Sequence, residues 1–185
     1  MRADARQNRE RLLAAAVEEF TGSADVALDA VARRAGVGIG TLYRHFPTRE
    51  ALVAAAYRHE VEQVCAAADE LATTRPADAA LREWMGRFVR YVATKRGMAA
   101  ALQRVVTADP GTGLFAETYE EIVAVLRRLL AAAAEQGSIR ADVDPDDALR
   151  ALRGAWLVAG EDGHGGADRL LDLLMDGLRY RAPGG

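Results

Sequence analysis

A single cysteine, Cys65, excludes an intrachain disulfide, and the reducing cytoplasm is the compartment expected for such a chain. No run of about 18 apolar residues occurs, so no membrane partner is expected. The opening stretch Met1–Glu10 is charged and lacks an apolar h-region, which argues against a secretory signal. Lysine is nearly missing: Lys95 is the only one and every other cation is arginine, a bias that with the abundant alanine fits GC-rich coding. G-x-S-x-G, P-loop, dinucleotide-fold and H-E-x-x-H patterns are all lacking, so neither catalytic residues nor a cofactor is expected and the chain does not read as an enzyme. There is no strand-like alternation, internal repeat or low-complexity tract.

What is present is helix upon helix. Leu13, Ala16, Val17 and Phe20 recur at the spacing of one helical face, predicting a first helix over about 5–20. Gly22 to Asp25 reads as a loop. Pro47 breaks the chain, Thr48 is placed to cap a helix that meets no breaker until Thr73, and Glu50 suits its first turn. Pro76 and Asp78 open a fifth helix, and a short helix over 98–106 ends before Pro110. A seventh follows with Gly137 as its C′ residue. Asp144 followed by Pro145 is a cap with proline at N1, starting an eighth. Residues 160–166 read as a glycine-rich loop, 167–180 as a ninth helix, and 182–185 as a disordered end. The formal net charge is −3, which argues against a protein that coats nucleic acid without specificity. The charge is uneven: residues 1–60 hold nine arginines and eight acids, and the rest of the chain 15 cations and 19 acids.

The chain is organised around residues 28–46, LDAVARRAGVGIGTLYRHF. Val31, Ala35, Val37 and Leu42 give two short helices a shared apolar surface. Ala32 is small enough for a close crossing, and Gly36 falls where a helix end often needs φ > 0. Two helices joined by a three- to four-residue turn make a helix-turn-helix, with 38–45 free to enter a DNA major groove. The longer run GVGIGTLYRHFPTREAL, with the apolar helix upstream, resembles the DNA-binding domain of the TetR family of bacterial transcriptional regulators over roughly residues 6–66. The resemblance implies an all-α, nine-helix architecture. An N-terminal three-helix DNA-binding domain over 1–47 would precede a ligand-binding and dimerisation domain over 48–182. It also implies a double-stranded DNA operator, a homodimer and an unknown small-molecule effector as partners.

On that resemblance, Thr41, Tyr43, His45 and Arg49 are expected to hold the DNA backbone, and Ile39, Gly40 and Arg44 to reach bases. Arg44 is the leading candidate for a base contact, because arginine grips guanine O6 and N7 with a two-pronged fork. Arg6 and Arg9 are expected to add phosphate contacts. Two departures from the family pattern stand out: Gly38 replaces a capping hydroxyl residue, and so do Ala27 and Leu28 before the preceding helix. Trp84, Phe88, Tyr91, Met98, Leu102, Tyr119 and Trp156 are candidates to line an effector pocket, with plain core as the alternative. Leu149, Leu152, Leu170, Leu174 and Leu178 are expected at the dimer interface, because the family pairs its last two long helices with their mates. Glu161, Asp162 and His164 form a polar cluster, but no second histidine or cysteine at ligand spacing accompanies it, so no metal is expected. The expected function is a repressor released from a palindromic operator by a ligand. An activator of the same fold, or a small all-α ligand-binding protein or enzyme, is the alternative reading.

Overall fold

Helical spacing of alanine and leucine, punctuated by glycine and proline, produces nine α-helices among the described residues of the computed structural model, 2–23, 25–159 and 164–180. They are α1 (Arg2–Gly22), α2 (Leu28–Arg34), α3 (Ile39–His45), α4 (Arg49–Thr74), α5 (Ala77–Gly97), α6 (Ala99–Ala108), α7 (Leu114–Glu135), α8 (Pro145–Ala159) and α9 (His164–Arg179). No strand occurs among these residues. The all-α class and the element order are those expected.

One compact unit comprises Met1–Val61 with Thr94–Phe115. Its buried side chains include Leu12, Leu13, Ala16 and Phe20 of α1, Val31 and Ala32 of α2, Leu42 of α3, and Leu52, Val53 and Tyr57 of α4. The glycine after α2 does what its position demands. Gly36 has φ +66°, its N–H donates to the Arg33 carbonyl, and the Val37 N–H reaches back to Ala32 at 3.0 Å. That six-to-one bond closes a Schellman end and turns the chain sharply into α3. The Thr48 hydroxyl accepts from the Ala51 N–H at 3.0 Å, capping α4 as its sequence foretold. Later segments join this unit through specific contacts. A Cβ on Gly97 would lie 2.4 Å from Thr21 Cγ2 and 3.0 Å from the Thr21 carbonyl, so the end of α5 abuts the end of α1. Arg104 of α6 pairs with Asp25 at 2.6 Å.

The second compact unit comprises Glu62–Ala93 with Ala116–Gly185. Trp84 stacks on Phe88 with ring centroids 5.6 Å apart and donates its indole N–H to the Val64 carbonyl at 2.9 Å. Arg82 bridges α5 to Asp172 and Asp168 of α9, and Arg179 pairs with Asp78 at 2.8 Å. Gly137, at φ +69°, repeats the Schellman ending on α7. Asp144 accepts from the Asp146 and Asp147 N–H groups to start α8. The start of α9 differs from expectation: the helix begins at His164, not Ala167, and takes in Gly165 and Gly166. Two glycines cost a helix only about 1 kcal/mol each, and the buried position of Gly166 shows that packing outweighs that cost. Helix α1 likewise starts earlier than expected. Glu161, Asp162, the His164 side chain and residues 182–185 lie outside the described residues.

Candidate nucleic-acid interface

The outer surface of α3 is set by what its inner surface buries. Leu42 is buried on the inner face, and Phe46 just beyond the helix closes the small core. The Phe46 N–H donates to the Leu42 carbonyl at 2.8 Å, ending the helix cleanly. The side chains out of phase with these point away. Ile39 is 38% exposed and Tyr43 51% exposed, among the few large apolar groups in the described residues that stay exposed. Arg44 is exposed and folds back along the helix, with its Nε donating to the Gly40 carbonyl at 3.1 Å and an Nη to Thr41 Oγ1 at 3.3 Å. Backward reach toward the helix start is the ordinary direction for a long helical side chain. It parks the guanidinium over the first turn of α3. Thr41 and His45 are half-buried.

Gly38 caps α3 with extended backbone and no side-chain bond, and Ala27 does the same for α2. Both departures in capping are therefore real, each leaving an N–H that a hydroxyl would have satisfied. A Cβ added at Gly38 or Gly40 would meet no atom within 4 Å, so the start of α3 is bare on its outside.

Arg9 of α1 lies over the Phe46 ring at 5.7 Å, and Arg49 at the start of α4 over the Phe20 ring at 5.6 Å. These contacts fix direction without neutralising charge. Arg6 is paired with Glu10 at 3.2 Å. Arg33 pairs with Asp29, and Arg34 is taken by Glu18 and Glu19, so these two belong to the fold's own ion pairs.

The expected pocket residues are shared between the two units. Trp84, Phe88, Tyr91 and Tyr119 fall in the second unit, Met98 and Leu102 in the first, and the Trp156 side chain lies outside the described residues. Trp84, Phe88 and Tyr91 are buried and in ring contact as a row. The Tyr119 hydroxyl donates to Asp146 at 2.5 Å, which holds its pKa above the usual value. A shallow groove of about 230 Å³ lies elsewhere, lined by Arg127, Leu130, Ala134, Arg140 and Val143.

Of the expected interface leucines, Leu149, Leu152 and Leu178 are buried within the single chain, while Leu170 and Leu174 are half-buried. Leu173, which sequence reasoning passed over, stands 68% exposed on α9. Its signal was its phase: in the run LLDLLM it falls off the stripe of Leu171, Met175 and Leu178. No group of three or more His, Cys, Asp or Glu arranged to hold a metal occurs among the described residues. Cys65 is half-buried, and burial is the main cause that pushes its thiol up to about 11.

Residues 12–56 match the family described as bacterial regulatory proteins, tetR family, and residues 75–180 match the C-terminal domain of SbtR-like transcriptional regulators. The solved TetR transcriptional regulator SCO0520 of Streptomyces coelicolor is similar over 94% of this chain and 99% of that one, with 45% identity and a TM-score of 0.88. A TetR regulatory protein from Mycobacterium vanbaalenii is 35% identical over 97% of this chain and 99% of its own, with a TM-score of 0.78. The HTH-type transcriptional repressor KstR of Mycolicibacterium smegmatis is 41% identical over 69 residues, 36% of this chain and 34% of that repressor's length. The match to KstR thus spans about a third of that protein. With a helix-turn-helix at 28–46 and a relative matched along nearly its whole length, the chain belongs to the TetR family of bacterial transcription regulators.

Proposed function

We propose that this regulator is a homodimeric repressor that holds a palindromic operator through α3 and lets go when a small molecule binds its second unit. The carrying observation is the uncovered outer surface of α3, with Ile39, Tyr43 and Arg44 exposed while Leu42 and Phe46 are buried. On this reading residues 1–47 are the reading head and 48–182 the sensing and pairing body. Ile39, Gly40 and Arg44 face base edges; Thr41, Tyr43, His45, Arg6, Arg9 and Arg49 hold phosphates and set the register. The similarity to the repressor KstR over 69 residues supports a DNA-reading role for the chain.

A seven-residue helix spans too few base pairs for a unique site, and a two-fold dimer supplies a second half-site about 34–36 Å away. We place the pairing surface on the outward side of α8 and α9, centred on Leu173 with Leu170 and Leu174 beside it. We place the effector against the row Trp84, Phe88 and Tyr91. Helix α4 runs unbroken from Arg49 to Thr74, so its first half lies in the unit that holds α3 and its second half in the other. An effector that favours one arrangement of α4 shifts the population away from the DNA-competent form.

A mobility-shift titration against the gene's own upstream region, at stated salt, tests the reading. Wild type gives a specific shift, and Tyr43→Ala with Arg44→Ala loses it while keeping its circular dichroism. No specific shift from wild type, or an unchanged one from the double variant, refutes it.

A further inference from the structure

The first turn of α3 carries a feature that the protein itself does not need. Gly38 and Gly40 flank Ile39, yet neither has a backbone angle reserved to glycine, and a Cβ at either would touch nothing. Gly38 is an ordinary N-cap residue, but Gly40 lies inside the helix, where glycine costs stability, and neither local conformation nor internal packing accounts for it. Between these two bare positions Ile39, though partly covered, keeps 38% of its surface exposed. That places a branched hydrocarbon on the outside of the helix proposed to enter the groove.

We propose that Ile39 reads the C5-methyl of a thymine, so that each operator half-site carries an A·T pair recognised through that methyl group. This rests on the DNA-reading role of α3 and adds the identity of the base. In the major groove a thymine presents its C5-methyl beside the O4 acceptor, the one apolar feature a base pair offers there. Bare backbone on both sides of Ile39 removes the Cβ atoms that would otherwise hold the helix off the groove floor. The Arg44 guanidinium is parked on the carbonyl of Gly40, the residue that follows Ile39. It offers its remaining N–H groups to a guanine in the same short half-site. An apolar contact and a two-pronged donor on one short helix specify a T and a G within the roughly three base-pair steps that a helix of this length spans.

The test uses the full-length protein and a pool of randomised duplex DNA. Sites enriched by the wild type are resynthesised with deoxyuridine replacing each thymine in turn, which removes only the methyl. Loss of one buried methyl per half-site weakens wild-type binding about fourfold, and substitution in both half-sites about fifteenfold. Ile39→Ala binds the thymine operator more weakly by a similar factor and is indifferent to the same deoxyuridine. An enriched operator in which no single deoxyuridine matters, or a sensitive thymine whose effect persists in Ile39→Ala, overturns this assignment and leaves the DNA-binding reading standing. No enriched sequence at all refutes the DNA-binding reading itself.

Discussion

Glycines in this chain do three different jobs, and substitutions separate them. Gly36 holds φ +66°, where any other residue pays a left-handed penalty, so Gly36→Ala is expected to lose about 1–2 kcal/mol in chemical denaturation. Gly97 has ordinary dihedrals but no room, with Thr21 backbone as well as side chain in the way. Gly97→Ala is therefore expected to destabilise by overpacking, on the order of 1–3 kcal/mol. Gly40 has both freedom and room, so Gly40→Ala is expected to gain about 0.5–1 kcal/mol of folding stability. It is also expected to bind the operator less tightly, because its Cβ faces outward. A denaturation curve and a binding titration on the same variant check both signs. The thiol of Cys65 is held protonated: with its pKa at about 11, its thiolate population at pH 8 is on the order of a hundredfold below that of an unfolded cysteine. Ellman's reagent is expected to modify the native protein slower by about that factor, with full speed restored in guanidinium.

At the scale of elements, what was written in local chemistry was legible and what depended on packing was not. The ends of α2 and α7 and the starts of α4 and α8 were marked by Gly36, Gly137, Thr48 and the Asp144–Pro145 pair, because capping is decided within a few residues. The start of α9 was hidden, because two glycines argue locally for a loop and only the buried setting of Gly166 reverses that. The helix-turn-helix surface was readable for the same reason as the caps: the phase of Leu42 against Ile39 and Tyr43 is a property of one short helix. Leu173 carries the same kind of local signal, its phase off the stripe of Leu171, Met175 and Leu178, but a run of four leucines in five residues masks it. An element-scale contact that no motif announced is the clamp around Lys95. Its ammonium bonds the Tyr57 hydroxyl at 3.0 Å and lies over the Tyr57 and Phe115 rings at 5.1 and 4.6 Å. Tyr57 and Phe115 meet edge to face at 5.6 Å, so one lysine joins α4, α5 and α7 within one compact unit. Lys95→Ala is expected to lower stability by about 1–2 kcal/mol, the sum of a cation–π contact and a hydrogen bond, read as a fall in the denaturation midpoint.

For the whole molecule, the modest net charge conceals where electrostatic affinity must come from. At −3 overall, the protein has no general attraction for a polyanion, so binding depends on a few arginines placed at the groove. Their availability is uneven. Arg34 is held by both Glu18 and Glu19, Arg9 and Arg49 lie over the faces of Phe46 and Phe20, and Arg6, like Arg33 with Asp29, shares an exposed pair, with Glu10. An exposed pair is weak enough for a phosphate to displace it. Arg6, Arg9 and Arg49, three per protomer and six per dimer, correspond to a slope of about −5 in log affinity against log salt. Arg49→Ala removes one cation from each half and is expected to flatten that slope by about 2, weakening all sequences alike. Arg44→Ala is expected to do the opposite, leaving most of the slope in place while relaxing the preference at one base pair. Fluorescence-anisotropy titrations of both variants from 50 to 400 mM salt, on the operator and on a scrambled duplex, distinguish the two outcomes. A steep slope that survives removal of Arg6, Arg9 and Arg49 together would show that other groups hold the backbone.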